Sequence, residues 1–267
     1  SSREYPRLGP ASVSSHRAAW GRVSALAGKK VRRITIDDLQ QIIDQDEVDG
    51  LSKSSVQNDK GLISALFRFA MERDIIIKDY SQFIRLPSVQ AKHEKGVLTD
   101  LHLKQLEQLA AAGDPWADAI LILCYTGFRI SEFLALTRFS YHADGDYLQG
   151  GMKTAAGRDR LVPVHPKIKP YLAARLAQNG ERIICDPSGH AVSTQVFRVR
   201  FAALMEQIGA VGATPHWCRH TFASRLHQAG ADELAIKRMM GHANKDVTEH
   251  YTHISLDYLR QELCKIA

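Results

Sequence analysis

The chain has few of the features that mark a protein for secretion, for a membrane or for metal. Its four cysteines, Cys124, Cys185, Cys218 and Cys264, lie far apart and include no C-x-x-C pair. That usage suits a reducing compartment and argues against a disulfide framework or a structural zinc. No apolar run approaches the ~20 residues of a membrane span, and the N-terminus has no secretion-signal core. His216 and His220 have the spacing of a helical zinc pair, yet Trp217 stands where the H-E-x-x-H motif needs its glutamate. Strong charge of one sign is missing too: 35 Lys and Arg face 29 Asp and Glu, a net +6. The expectation is a soluble cytoplasmic protein without a resident metal. The opening Ser-Ser, with no Met, points to a fragment of a longer chain.

What is present is enough for two domains. At 267 residues and 45% hydrophobic composition, each half can bury its own core. Residues 1–95 carry 16 basic and 12 acidic side chains and the remainder 19 and 17. A basic excess spread over both halves suits two domains that touch one polyanion.

The most informative stretch is Thr214–Tyr251, TPHWCRHTFASRLHQAGADELAIKRMMGHANKDVTEHY. Thr214-Pro215 opens a helix, with Thr as N-cap and Pro at the first position. His216 and Arg219 then share a face at i, i+3, and Gly230 marks the end. A second helix over 232–240 stops at Gly241, so His242 falls on a turn, with Tyr251 nine residues further. A phenol has a pKa of about 10 and is a poor nucleophile at neutral pH. It needs cations that stabilise both the phenolate and its target. A phosphodiester is such a target, because arginine binds it bidentately through a planar fork. One tyrosine among eight is more commonly a packing residue, so the weight rests on the combination.

The ordered set H-x-x-R-H-T-F-A, M-G-H and T-x-x-Y resembles the C-terminal signature of the tyrosine recombinases, the phage-integrase family. Two further blocks extend the resemblance. Tyr125–Glu132 (YTGFRISE) is similar to the family's first arginine motif, and Lys153 lies in GGMKTAAGRDRLVPV, where the family carries a lysine on a β-hairpin. The resemblance implies that Tyr251 attacks a DNA phosphodiester to give a 3′-phosphotyrosine and a free 5′-hydroxyl. Arg129 and Arg219 would clamp the non-bridging oxygens, Lys153 would protonate the leaving 5′-oxygen, His216 would assist proton transfer at the tyrosine, and His242 would donate to the phosphate. Glu132, three residues beyond Arg129, would hold that guanidinium rigid. No cofactor, metal or ATP is implied. The implied partners are double-stranded DNA sites, a homotetramer on two duplexes and, in some settings, accessory DNA-bending proteins. Such a protein would be nucleoid-associated when bound.

The expected fold is mainly α with a small β-sheet or hairpin, arranged as a two-domain DNA clamp. Residues 1–86 read as a bundle of short amphipathic helices, resembling the family's core-binding domain. One helix starts near Ser12 or Ser14 and runs to Gly28. A second is capped by Thr35, with Leu39, Ile42 and Ile43 as its stripe, and a third begins at Ser52 or Ser54. Between the first two lies the basic turn Lys29–Arg33, in which Lys29, Lys30, Arg32 and Arg33 are candidate phosphate contacts. Residues 87–97 read as a polar linker in which Lys92, His93 and Lys95 are further candidates. Residues 98–267 form the catalytic domain. It opens with Thr99 as N-cap, and its segment 137–164 alternates as β-structure. It closes on an amphipathic helix carrying Leu256, Leu259, Leu263 and Ile266, packed either on its own domain or on a neighbouring protomer.

Three readings compete with an integrase of a mobile element. One is a dimer-resolving recombinase of the same family. Another is a DNA-binding regulator that has lost the chemistry, which the complete set of six residues disfavours. The third is a metal-dependent hydrolase built on the many histidines.

Overall fold

The structure is a computed structural model that describes residues 10–87, 96–151, 159–241 and 254–266. The chain forms two compact units, Ser1–Glu94 and Lys95–Ala267. The described residues are mainly helical with one small sheet. No helix among the described residues is long and apolar enough to cross a membrane.

The N-terminal unit packs α1 (Pro10–Val23), α2 (Ile36–Val48) and α3 (Lys53–Met71) around Val23, Ile34, Leu39, Ile43, Val56, Ile63, Phe67 and Ile84. Helix α1 begins at Pro10, earlier than the serines suggested, because a proline at the first position gives up an N–H that has no intrahelical partner. Thr35 caps α2 through a reciprocal box with Asp38, and Ser52 caps α3 by accepting from the Ser55 N–H. The basic turn folds into a 3₁₀ helix at Val31–Arg33. Lys29 there pairs with Asp38 at 2.5 Å, and Arg32 donates to the Ile75 carbonyl at 2.6 Å. Trp20 keeps helical spacing but stays half exposed, and lines a 290 Å³ cavity with Val23, Leu26, Ile63, Phe67 and Phe69.

Three charged residues tie these helices together. Arg22 on α1 donates from Nε (2.5 Å) and Nη2 (2.8 Å) to the two oxygens of Asp59 on α3. Its Nε also lies 3.5 Å from Asp46 on α2. Both aspartates are buried. Burial, then the neighbouring Asp59, push the Asp46 carboxyl up to about 7.

In the C-terminal unit, α4 (Asp100–Ala111) starts from a Thr99 capping box and packs on α5 (Ala117–Thr126). Every residue of α5 except the half-buried Asp118 is buried, so it forms the axis of this core. After α6 (Ile130–Phe133) come β1 (Tyr141–His142), β2 (Tyr147–Gly150) and β3 (Arg160–Pro163), an antiparallel meander in which Tyr147 pairs with Pro163 and Gly150 with Arg160. Helices α7 (Lys169–Ala177), α8 (Thr194–Gln207), α9 (Pro215–Gln228) and α10 (Glu233–Met240) follow. Helix α9 lies along α5.

The terminal helix α11 (Leu256–Leu263) packs on its own unit. Leu259, Leu263 and Ile266 are buried in the main core. Polar contacts fasten the same segment. Glu262 accepts from the Asp232 N–H at 2.6 Å, and His165 Nε2 lies 3.0 Å from the Ile266 carbonyl. Because Lys167 N–H donates to His165 Nδ1 at 3.2 Å, that ring is neutral with its proton on Nε2, which donates to Ile266.

Candidate active site

Glycine sets the site's first corner. Helix α5 stops at Gly127, whose φ of 62° is left-handed. A Cβ there would sit 2.4 Å from a ring carbon of Phe222 on α9. Glycine therefore serves twice, turning the chain and letting α9 approach. The turn delivers Arg129 as the residue preceding α6, its side chain about one quarter exposed.

Glu132 meets Arg129 as its spacing predicts. Oε1 accepts from Arg129 Nη1 at 2.8 Å, and Oε2 from the Arg129 backbone N–H at 3.0 Å. A partner not foreseen from the sequence completes the group: Arg160, at the start of β3, donates from Nη2 to Glu132 Oε2 at 2.7 Å. Arg160 is buried and lies over the Phe128 ring, 4.4 Å from its centroid. Burial by itself would raise the Glu132 carboxyl. The Arg160 hydrogen bond, the Arg129 N–H and the two positive charges outweigh it and hold the group at about 2.

Arg219, one helical turn inside α9, is 3% exposed. Its Nη1 donates to the Gly127 carbonyl at 2.5 Å and its Nη2 to the Met240 carbonyl. These carbonyls belong to the C-terminal ends of α5 and α10, where helices leave oxygens without intrahelical donors and carry partial negative charge. Arg219 thus joins two helix ends, and His242 follows in the chain directly after Gly241, the left-handed cap of α10. Burial, with Arg129 and Arg160 nearby, lowers the Arg219 guanidinium to about 9. Arg129 and Arg160 share the Glu132 carboxylate while Arg219 bonds to backbone carbonyls beside them, which leaves a local excess of positive charge. That arrangement suits an anion with several oxygens.

His216 lies one turn before Arg219, on the exposed surface of α9. Its ring stands edge-on to that of His220, with centroids 4.6 Å apart. Thr214 takes the N-cap position, but its hydroxyl makes no capping bond; the turn is closed by Trp217 N–H donating to the Thr214 carbonyl at 2.8 Å. The start of the unit is packed onto the same helix. Leu98 N–H donates to Thr221 Oγ1 at 2.8 Å, and Gly96 lies so close to Trp217 that a Cβ would fall 2.1 Å from the indole. Among the described residues no group of three or more His, Cys, Asp or Glu is placed to hold a metal ion.

The structure therefore brings Arg129, Glu132 and Arg219 together and puts His216 on the helix of Arg219. Lys153, His242 and Tyr251 lie outside the described residues, as do Lys92, His93 and Lys95. Of the four basic residues between α1 and α2, Lys29 and Arg32 spend bonds within their own unit, while Lys30 and Arg33 are exposed. Sequence spacing missed Arg160. The only signal was a basic residue just ahead of Val162-Pro163, and no local period says that its partner lies 28 positions away.

Comparison with known proteins gives this geometry a lineage. The phage integrase family matches residues 99–257. Tyrosine recombinase XerD of Mycobacterium tuberculosis is 31% identical over 233 residues, covering 78% of this chain and 73% of the relative. Among solved structures, the Tn1549 transposon integrase in complex with transposon right end DNA superposes with a TM-score of 0.78 at 22% identity, over 98% of this chain and 95% of that one. A lambda integrase tetramer bound to a Holliday junction gives 0.72 at 16% identity, over 93% of this chain and 75% of that one. The chain belongs to the phage integrase family, the tyrosine recombinases.

Proposed function

We propose that this chain, by family a site-specific DNA recombinase that cleaves and rejoins strands through a 3′-phosphotyrosine, uses six of its residues as follows. Tyr251 Oη attacks the scissile phosphorus; an Oη–P bond forms and the P–O5′ bond breaks. The phenolic proton leaves with help from His216, and Lys153 gives a proton to the departing 5′-oxygen. Arg129 and Arg219 hold the non-bridging oxygens, and His242 donates to one of them. Preorganised cations stabilise charge as it develops on the phosphorane. The phosphotyrosine keeps the energy of the broken ester, so a 5′-hydroxyl from a partner duplex can reverse the step without ATP.

The observation that carries this reading is the buried cluster itself. Arg129, on the turn before α6, and Arg219, on α9, are far apart in sequence and converge with more positive charge than Glu132 neutralises. Residues 1–86 are assigned to the core-binding domain, 87–97 to the linker and 98–267 to the catalytic domain. Lys30 and Arg33 lead the phosphate contacts of the first domain, with Lys29, Arg32, Lys92 and Lys95 beside them. The working assembly is a homotetramer on two duplexes, in keeping with the lambda integrase tetramer, and the compartment is the cytoplasm.

Integration and excision of a mobile element is the preferred role, because the fold neighbours are integrases. Dimer resolution uses the same chemistry, and kinship with a XerD recombinase keeps it as the second reading. The test uses a binding site enriched from a random-sequence duplex pool by the protein itself, then nicked at successive phosphates. With EDTA present, wild type is expected to give a covalent protein–DNA adduct on a denaturing gel, and Tyr251→Phe none. Binding without an adduct at any nick position would move the assignment to a non-catalytic DNA-binding protein.

A further inference from the structure

We propose that Arg160 is a positioning residue for strand cleavage: acting through Glu132, it fixes the Arg129 guanidinium and occupies one carboxylate oxygen, so that Arg129 keeps its charge for the phosphate. The inference rests on the assignment of Arg129 to the scissile phosphate.

The division of Glu132 carries the argument. Its Oε1 serves the Arg129 side chain, while Oε2 serves Arg160 and the Arg129 backbone. The carboxylate is thereby held at both ends, from α6 and from β3, and cannot swing away from Arg129. An isolated Arg129–Glu132 pair would be neutral, and the glutamate would compete with a phosphate for the guanidinium. With Arg160 in the group the triad keeps one net positive charge, and Arg219 brings another.

Exposure separates the roles of the arginines. The Arg160 side chain is 3% exposed against 26% for Arg129, so Arg160 is enclosed by protein while Arg129 presents an edge outward. The Arg160 Cζ lies over the Phe128 ring, 4.4 Å from the centroid, a seat that favours a guanidinium over a lysine ammonium. Arg160 is also the first residue of β3, paired with Gly150 across the hairpin in whose sequence Lys153 falls. One ion pair therefore ties that strand to the turn bearing Arg129. Among the described residues, Arg129 from its own turn, Arg160 from β3 and Arg219 from α9 are the charged groups near Glu132.

The experiment compares wild type, Arg160→Met and Arg160→Lys in single-turnover cleavage of the nicked duplex from about pH 5 to about pH 9. DNA affinity and thermal unfolding are measured alongside. Arg160→Met keeps the bulk and is expected to bind DNA normally while cleaving about 10- to 100-fold slower at neutral pH. The ratio of variant to wild-type rate should climb with pH. Without Arg160 the buried Glu132 ionises later, and while protonated it no longer holds Arg129 through both oxygens. Arg160→Lys should recover part of the rate and bring the rise back to lower pH. A Met variant with wild-type rate and profile overturns the inference, as does one that loses rate equally at every pH in step with lost DNA binding. If Arg160→Met fails to fold, the neutral double variant Glu132→Gln/Arg160→Met replaces it; slow cleavage with a pH-independent rate ratio is expected, and a wild-type rate would overturn the proposal. Absence of any Tyr251-dependent adduct from wild type would instead sink the reading beneath it.

Discussion

Asp46→Asn is expected to stabilise the N-terminal unit above neutral pH, although it removes a member of a buried charged group. Asp46 is 2% exposed, and its Oδ2 meets no donor among the described residues. Arg22 lies 3.5 Å from its other oxygen but directs two bonds to Asp59. Burial first, and Asp59 second, raise the carboxyl from 3.8 to about 7. A raised folded-state pKa means that the native unit holds a proton which the unfolded chain releases. The associated stability is complete below about pH 4 and is lost as pH rises to about 7. Three pH units at ~1.36 kcal/mol each set a ceiling of ~4 kcal/mol. Because Asp46 and Asp59 titrate as a pair, roughly 1–3 kcal/mol is the expected gain at about pH 8. Asparagine keeps the shape, cannot ionise and offers an N–H to Asp59. Thermal unfolding at about pH 5 and about pH 8 reads the effect. The N-terminal transition of the variant should lie several degrees above wild type at the higher pH, given ~4–8 °C per kcal/mol for a unit of this size. At about pH 5 the two proteins should differ less. A variant that melts below wild type at about pH 8 would refute the reasoning, since it would mean that Asp46 is ionised and productively paired with Arg22.

Two further predictions concern the catalytic unit. Gly127→Ala forces a left-handed residue to carry a Cβ against Phe222 and moves the carbonyl that Arg219 grips. It should cost about 1–3 kcal/mol in thermal unfolding and slow cleavage by about tenfold or more in the nicked-duplex assay. Lys153→Ala should cleave poorly, yet recover when sulfur replaces the bridging 5′-oxygen, because a thiolate leaves without a proton. Failure of that substrate to rescue the variant, in the same single-turnover assay, would remove Lys153 from the role of general acid.

Much of the fold was legible in local pattern. The caps at Thr35, Ser52 and Thr99, and the stops at Gly127, Gly230 and Gly241, are decided by neighbouring residues and fall where side-chain chemistry puts them. The strands within 137–164 followed from alternation and glycine. The site was legible to the extent that its partners sit within one turn of each other, as Arg129 and Glu132 do. Long-range partners were not. Arg160 meets Glu132 only because the meander returns β3 to the α5–α6 turn, and periodicity carries no information about that return.

By itself, then, the sequence determined the chemical inventory: a phenol, arginines, a lysine and histidines in a fixed order along the chain. The tertiary structure alone decided how charge is shared among those groups. Whether Glu132 neutralises Arg129 depends on a second guanidinium from a distant strand. Arg219 becomes a buried brace between two helix ends because α9 can lie against a glycine. The terminal helix packs on its own unit because Leu259, Leu263 and Ile266 find an apolar groove there, and burial of apolar area favours whichever surface is nearest and complementary.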